Sequence, residues 1–452
     1  MIASERRAIF SLAALYASRM LGLFMVLPVF VIYGQDLQDA NELLIGLAIG
    51  AYGLSQAIFQ IPFGALSDRF GRKRLIFIGL LIFFLGSVLA ASSEHIYGVI
   101  LGRFLQGAGA IASVLMALLS DLTSIENRTK AMAMIGMSIG LSFSTALIIG
   151  PLVAASFGLP GIFWLTAMFA VAGVFILIYV VPSPVTLTRD RNTRLVKQQV
   201  GDVLRHKELR RLDIGIFALH LCLTAVFIAV PKTLQQQLSL PSEEHWWVYL
   251  TVMVFSFFAM VPFIIFGEKK QEMKKIFLFA ILLLCAASIS FVFSRASFSY
   301  FWCSLFAYFM AFNLLEATLP SLVSKISPAG CKGTAMGVYS TAQFMGAFFG
   351  GVLGGWVVSQ YHETGVFILV STVCFLWFLF ARGMQNPSHE MGMTLYFPSM
   401  TSSNMNELSS ALGAVSGVEE VVLVAQDKVA YLKVVKAELD QQQLDKLMAS
   451  YQ

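Results

Sequence analysis

Charged residues are scarce in this sequence. Asp, Glu, Lys and Arg make up 13% of the 452 residues, whereas a soluble domain carries about 25%. Hydrophobic residues make up 57% of the chain, and this balance indicates a membrane protein. The five cysteines show neither a C-x-x-C pair nor metal-ligand spacing. We interpret them as small apolar residues within helices.

Motifs for catalysis are also missing. The sequence contains no catalytic triad, P-loop or metal cluster, so neither an enzyme nor an ATP-driven pump is expected. No cofactor is expected, which leaves the proton gradient as the energy source. The net charge of +5 combines a basic excess before residue 392 with an acidic excess after it. We interpret the basic excess as membrane-orientation charge and expect no nucleic-acid partner.

Charged or Gly/Pro-rich turns divide the chain into twelve apolar runs. About 20 apolar residues cross the hydrocarbon as a helix, so each run predicts one span. The first run is too long for the core of a signal peptide, and we interpret it as a retained helix. The predicted spans are 8–33, 42–66, 75–92, 96–119, 130–157, 161–181, 211–231, 246–267, 275–293, 298–323, 333–360 and 364–382.

Basic residues are distributed unequally between alternate connectors. One set of connectors carries 23 Lys and Arg residues, and the other carries only Lys232 and Arg295. Because Lys and Arg collect on the cytoplasmic side, this asymmetry places both termini in the cytoplasm. The even number of spans agrees with that orientation.

A short turn between the second and third runs, from Gly64 to Arg74, holds one acid among four cations. Its pattern G-x-L-S-D-R-x-G-R-K resembles the signature loop of the major facilitator superfamily. The resemblance implies an all-α membrane fold of twelve helices in two pseudo-symmetric six-helix halves. The halves would be residues 1–181 and 211–383, joined by a cytoplasmic connector, 182–210. Within the connector, Leu195 to Leu209 predicts a basic amphipathic helix on the membrane surface, or else a polar linker.

An internal repeat supports the division into halves. Residues 61–77 can be laid over residues 261–277 without a gap, and Asp68 then falls on Glu268. Parallel repeats of this kind are typical of the two halves of major facilitator proteins. Chance similarity between two basic loops is the alternative.

The sequence changes character after Arg382. Residues 384–391 form a polar linker, and residues 392–452 have too few consecutive apolar residues to span lipid. They predict the order strand, helix, strand, strand, helix: 394–397, 404–412, 420–425, 429–435 and 439–448. This order resembles a small α+β ferredoxin-like domain. No cysteine follows Cys374, so soft-metal binding by such a domain is not expected.

A transporter body followed by such a domain resembles the bacterial YajR-type transporters. The supporting stretches are Ser18–Pro28, Ala117–Thr123 and Lys332–Ser340. The resemblance implies drug:proton antiport and a location in the bacterial inner membrane. The implied partners are a small-molecule substrate and the lipid bilayer, and the C-terminal domain is a candidate site for a ligand or a protein.

Charged residues within the spans need a reason, because charge is costly in hydrocarbon. Glu316 is the carboxylate deep in a span, and a proton readily neutralises such a group. We predict that Glu316, Arg103 and His220 form the proton-coupling site. The alternatives are a permanently protonated or paired Glu316, an Arg103 bonded to carbonyl groups, and a hydrogen-bonded His220.

Further polar residues recur at helical spacing and are predicted to line a substrate cavity. Hydrogen bonding between helices without any ligand is the alternative. The predicted cavity residues are Arg19, Tyr52, Gln56, Gln60, Gln106, Asn313, Tyr339 and Gln343.

The basic turn is predicted to be a gating latch, and the family resemblance carries that role to Gly64, Asp68, Arg69, Gly71 and Arg72. Asp68 would meet the positive end of the eleventh helix near Gly333. Either Arg69 or Arg72 would pair with Asp121. These contacts would close the cytoplasmic side in the outward-open state.

Small residues spaced along helices predict close approach of their backbones. They are Gly46 and Gly50, Gly136 and Gly140, and Gly346, Gly350 and Gly354. Gly150 and Pro151 predict a helix bend, because Pro removes a backbone donor. Whether the bend takes part in gating is left open.

The sequence as a whole predicts a secondary active transporter that exports a small, largely apolar molecule in exchange for protons. Two alternatives remain open. One is proton-coupled or facilitated uptake of a metabolite, with Arg19 or Arg103 binding an anionic group. The other is a sensor in which the C-terminal domain binds a ligand or partner.

Overall fold

The fold is taken from a computed structural model of the chain. It describes residues 3–182, 200–270, 272–294, 297–328, 331–385, 390–397, 399–400, 404–424, 428–435 and 438–450. Predictions that fall on the remaining residues, including the first part of the 182–210 connector and the turn at 426–427, lie outside the described residues.

Helices dominate the first 381 residues. Within the described chain they are α1 (Ala3–Phe24), α2 (Phe30–Tyr33), α3 (Glu42–Phe70), α4 (Arg72–Ala91), α5 (Ile96–Ala108), α6 (Ala112–Leu122), α7 (Ile125–Phe175), α8 (Lys207–Lys232), α9 (His245–Lys269), α10 (Met273–Phe293), α11 (Phe298–Ile326) and α12 (Lys332–Ala381).

Two of these helices are too long to cross a membrane once. Helix α7 has 51 residues and α12 has 50, or about 75 Å at 1.5 Å per residue, against a hydrocarbon core of about 30 Å. Each turns back at one residue with positive φ, Gly158 (63°) in α7 and His362 (57°) in α12. Ten apolar helical stretches in the described chain thus give twelve crossings, which confirms the predicted all-α membrane fold.

The sequence predicted a single helix for the first span and for the fourth. In the structure each of these spans is divided into two helices. Helix α1 ends at Phe24, and α2 begins only at Phe30, because Pro28 in between has no backbone N–H to donate. The fourth crossing is divided between α5 and α6 at Gly109. A Cβ at Gly109 would collide with the carbonyl oxygen of Gly79 in α4, so close packing against α4 accompanies this break.

The helices form two groups that meet along a few lines of contact. In the first group, α1 packs on α7, and α3 and α4 pack on α5. In the second group, α8 and α10 pack on α12, and α9 packs on α11. Contacts between α3 and α12, and between α7 and α9, join the groups.

Glycine contacts between α3 and α12 hold the two groups together at one end, here named the closed end. Gly46 lies against Gly351, and a Cβ on Gly50 would stand 2.8 Å from the carbonyl oxygen of Phe348. The close approach predicted at Gly46 and Gly50 is therefore confirmed. Gly346, Gly350 and Gly354 likewise lie against α8.

The groups separate toward the other end, the open end, where α1, α7 and α12 begin. Gly337 shares a helix face with Phe344 and Gly351, seven residues apart in each step, yet no atom lies within 4 Å of its Cβ position. Gly136 and Gly140 also border open space. The close packing predicted for that pair is wrong here, because no neighbouring helix lies against these two glycines.

The C-terminal domain has the predicted order of elements. Strand β1 (Glu390–Tyr396) is followed by α13 (Met405–Gly413), β2 (Val418–Val424), β3 (Val429–Val435) and α14 (Gln441–Ser450). The sheet is antiparallel in the order β1-β3-β2. Both helices cover one face of the sheet through Leu408 and Leu444, which are fully buried. The first two strands begin earlier than predicted, because pairing with β3 extends them.

The domain contacts the bundle beside the connector. Lys433 Nζ lies 3.5 Å from the carbonyl oxygen of Ile326 at the end of α11. Burial, and then the nearby Lys433, lower the pKa of His206. The predicted helix Leu195–Leu209 is described only from residue 200, and there helix stops after residue 205. His206 instead caps α8, because its Nδ1 accepts from the backbone N–H of Leu209 at 3.4 Å.

The closed end makes a testable prediction about glycine. In Gly46→Ala the new methyl group collides with the backbone of Gly351, and such overpacking costs about 2 kcal/mol. We expect a lower midpoint of thermal unfolding in detergent. Gly136→Ala is the matched control, because open space surrounds that position. Equal effects of the two changes would contradict the assigned contact.

Candidate functional site

The basic turn joins α3 to α4 through Gly71, whose φ of 94° favours glycine. Arg72 is the centre of its contacts. Its guanidinium pairs with Asp68 and donates through Nε to Asp121 Oδ2 at 3.1 Å. Arg72 also donates to Ser67 Oγ at 2.6 Å. Of the two arginines considered for Asp121, Arg72 is thus the one that makes the contact.

The other predicted latch residues are placed differently. Arg69 lies over the ring of Phe70, with 5.5 Å between its Cζ and the ring centroid. Gly64 faces Ser113 of α6. Among the described residues, Asp68 forms an ion pair with Arg72. Gly333, near the start of α12, borders open space. The predicted contact between Asp68 and that helix start is not formed in this conformation.

Arg19 of α1 is buried in the first helix group, with 2% of its surface exposed. Its Nη2 donates to Gln56 Oε1 at 2.7 Å and its Nε to the Tyr52 hydroxyl at 3.3 Å. The guanidinium also lies over the ring of Phe83 at 5.5 Å. Gln56 in turn donates to Gln60 at 3.2 Å, so the polar stripe predicted on α3 is a continuous chain of hydrogen bonds.

Arg103 of α5 lies over the ring of Tyr52. It is fully buried, and its Cζ lies 5.1 Å from the Tyr52 ring centroid. Arg103 Nη1 donates to Gln106 Oε1 at 2.9 Å, and Gln106 donates to Ser87 Oγ at 2.8 Å. Arg19, Tyr52 and Arg103, with Gln56 and Gln106, are named the arginine cluster below.

A second polar cluster lies in the other helix group. Gln343 of α12 places its Nε2 2.8 Å from His220 Nε2 and 3.4 Å from Glu316 Oε1. His220 Nε2 and Glu316 Oε2 are 3.9 Å apart. The Glu316 side chain is 36% exposed, whereas that of His220 is 11% exposed. These three residues are named the carboxylate cluster, and they come from α8, α11 and α12.

Arg103 and Asn313 contact groups other than Glu316, and Tyr339 lies one helical turn before Gln343 in α12. Arg103 belongs to the arginine cluster and not to the carboxylate cluster. Asn313 Nδ2 donates to Ser256 Oγ of α9 at 3.1 Å, so it binds a neighbouring helix and not Glu316. Tyr339 is buried, with 3% of its surface exposed.

The predicted bend at Gly150 and Pro151 lies within α7. The chain turns back at Gly158, between the fifth and sixth crossings, and Pro151 lies inside the helix before that turn. A Cβ on Gly150 would stand 2.6 Å from the carbonyl oxygen of Met25. Gly150 therefore allows α7 to lie against the irregular end of the first span.

Sequence reasoning missed the contacts that seal the closed end. Lys232, at the end of α8, pairs with Glu42 at the start of α3. Tyr33 and Ser242 hydroxyls, 3.1 Å apart, also join the two groups. Lys232 was a visible signal as one of only two basic connector residues on its side of the membrane, but its partner is 190 residues away in the chain.

Aromatic rings also fill the space between the two helix groups, on the side of the closed end that faces the middle of the bundle. Phe143 of α7 packs edge-on against Phe24 with centroids 4.9 Å apart. It also contacts Phe227 at 6.3 Å and Phe312 at 6.0 Å in the second group. Water is therefore excluded from the interface on the closed side.

Taken together, two groups of membrane-crossing helices surround buried polar clusters, and among the described residues an ion pair, a hydroxyl contact and close glycine packing join the groups at one end. No set of three His, Cys, Asp or Glu side chains that could hold a metal is found in the part of the chain that the structure describes. This architecture defines a membrane transporter.

Comparisons with known proteins identify the family. Residues 12–351 match the Major Facilitator Superfamily. The chain is 46% identical over 434 residues to the inner membrane transport protein YajR of Escherichia coli, covering 96% of this chain and 95% of that protein. It is 24% identical over 348 residues to multidrug resistance protein 2 of Bacillus subtilis, covering 74% and 84%. A solved D-xylose–proton symporter superposes with a TM-score of 0.66 at 17% identity, covering 84% of this chain and 98% of that one.

The chain therefore belongs to the major facilitator superfamily and is of the YajR type. It is a multi-pass inner membrane protein and a secondary transporter, not an enzyme.

The seal at the closed end can be tested directly. Lys232→Met leaves Glu42 without its partner, and we expect the closed end to open more often, because a buried pair broken on one side is strongly destabilised. Distances between spin labels at Gln35 and Glu243, both exposed at that end, should lengthen. The double change Glu42→Lys with Lys232→Glu should restore the short distance. Lys275→Met, which removes an exposed pair, is the control.

Proposed function

We propose that the chain is a proton-driven exporter of small molecules that works by alternating access. Both termini and the C-terminal domain lie in the cytoplasm in this proposal, because the connectors at the open end carry 23 of the 25 basic connector residues before the linker. The described conformation is then open to the cytoplasm and closed to the periplasm. The proposed units are the halves 1–181 and 211–383, the connector 182–210, the linker 384–391 and the domain 392–452.

The carboxylate cluster is the observation that carries proton coupling. The Gln343 amide lies between Glu316 and the titratable side chain of His220. Glu316 is also partly exposed in this conformation, which is open to the cytoplasm in the proposal. A carboxylate in that position can release a proton when exposed and must take one up before it is enclosed in hydrocarbon. Moving one charge through the membrane potential supplies about 2.3 kcal/mol per 100 mV.

Export agrees with the name of one relative, a multidrug resistance protein. Aromatic residues at the interface, such as Phe143 and Phe312, suit an apolar substrate that binds without fixed hydrogen bonds. Uptake of a metabolite is the second candidate, in which Arg19 or Arg103 would bind an anionic group of the substrate. The two buried arginines by themselves favour neither direction. Proton release or uptake by proteoliposomes on substrate addition separates the two directions.

The basic turn is proposed to latch the cytoplasmic side when the transporter faces outward. Arg72 already holds Asp121 and Asp68 together, so the turn is rigid before it meets another helix. In the outward-facing state Asp68 would approach the start of α12, whose N-terminal dipole favours an anion.

We expect Glu316→Gln to abolish the response of the protein to pH. A neutral amide cannot take up or release the coupling proton, so the balance between conformations should no longer shift between about pH 5 and pH 8. The Gln35 and Glu243 labels measure this balance without any substrate. Glu272→Gln, at an exposed pair, is the control. An unchanged pH response in Glu316→Gln would contradict the proposed role.

Asp68→Asn should abolish transport while leaving expression in the membrane intact. Without the carboxylate, the cytoplasmic side lacks the charge that meets the start of α12. Spin labels can be placed at Lys130 and Lys325, which are both exposed. The short distance between them that reports a closed cytoplasmic side should then be missing from the distribution. A wild-type distribution of distances together with normal flux would refute the latch.

A further inference from the structure

The arginine cluster has unused hydrogen-bonding capacity. Arg19 Nη1 and Arg103 Nη2 are both buried and have no hydrogen-bond partner. The partners that the two guanidiniums do have are neutral: a phenol hydroxyl, side-chain amides and a backbone carbonyl. Among the described residues, no carboxylate forms an ion pair with either arginine.

Two buried positive charges with only neutral partners are costly. Enclosing a guanidinium in a low-dielectric region is offset only in part by amide and ring contacts. Glu316, a carboxylate within the membrane-crossing helices, hydrogen-bonds Gln343 in the other helix group. Arg19 and Arg103 therefore have no ionic partner among the described residues.

We propose that Arg19 and Arg103 bind the oxyanion group of an amphipathic organic anion carried by this transporter, which deepens and rests on the proposed transport function. A carboxylate accepts two parallel hydrogen bonds from a guanidinium, and such charge-assisted bonds are strong. The unpartnered Nη1 of Arg19 and Nη2 of Arg103 are the donors available for such bonds.

The surroundings of the cluster select an apolar, aromatic body for this anion. Phe83 lies beneath Arg19, and Phe344 from the second helix group contacts the Tyr52 ring with centroids 6.4 Å apart. Inorganic anions would leave these rings without a partner. An aryl carboxylate uses both the guanidiniums and the rings.

Helix α12 controls access to the site. Phe344 covers Tyr52 because α3 and α12 are in contact there, and a Cβ on Gly53 would stand 2.6 Å from the Phe344 carbonyl oxygen. When α3 and α12 separate at the closed end, Phe344 withdraws and the two arginines become accessible. When α3 and α12 close over a bound anion, the anion compensates the charge of the two arginines. When they close over an empty site, two uncompensated positive charges are buried.

Binding of naphthylacetate to the full-length protein in detergent tests the proposal, with neutral naphthylacetamide as a probe of nearly the same shape. Isothermal titration calorimetry measures both affinities without transport. We expect naphthylacetate to bind at least about tenfold more tightly than the amide, because a hydrogen bond to a charged group contributes about 1.5–3 kcal/mol. Equal affinities would overturn the proposal.

Variants assign the effect to the two arginines. Arg19→Gln and Arg103→Gln should each weaken naphthylacetate binding about tenfold and leave naphthylacetamide binding unchanged. Arg103→Lys keeps the charge and should retain more affinity than Arg103→Gln. If a glutamine variant does not fold, Tyr52→Phe serves instead, because it removes the hydroxyl that accepts from Arg19 and leaves the ring in place. Lys275→Gln, a surface cation, is the control.

Two further measurements separate this proposal from proton coupling and from inorganic anions. Glu316→Gln should bind naphthylacetate normally, so a failure of the proposed proton role leaves the anion site intact. Sulfate should compete with naphthylacetate for the site. Wild-type affinity in both arginine variants, or binding of sulfate without naphthylacetate, would overturn the assignment to an organic anion.

Discussion

A charge can stay in the apolar part of this bundle only where protein groups replace the water it has lost. That constraint explains where the buried polar residues lie. Arg19 and Arg103 share the ring and hydroxyl of Tyr52, and Glu316 is held by Gln343 beside His220. Arg19 and Arg103 are buried within the first helix group, and the carboxylate cluster joins three helices of the second.

The contact between α3 and α12 connects the two clusters to the state of the transporter. Glycines at Gly46 and Gly351 allow the backbones to touch at the closed end. A few turns further along the same helices, Tyr52 meets Phe344, the residue after Gln343. Movement of α12 away from α3 therefore changes the surroundings of the arginine cluster and of the carboxylate cluster at once.

Contacts within one helix or between adjacent spans could be predicted from spacing. Gln106 follows Arg103 by three residues, a spacing that puts both on one helix face, and the two side chains are hydrogen-bonded. The Gln56 and Gln60 stripe was predicted in the same way. Contacts set by the conformation could not be predicted. Gly46 and Gly136 have the same spacing pattern in the sequence, yet one is tightly packed and the other borders open space.

The sequence by itself determined the membrane location, the twelve crossings, the order of the C-terminal domain and the identity of the charged residues within spans. These follow from composition and periodicity, which act over short stretches of chain. Only the tertiary structure decided that Lys232 meets Glu42, that Phe344 covers Tyr52, and that Gln343 lies between Glu316 and His220. Such pairings join residues far apart in the chain, and helix packing in three dimensions alone brings them together.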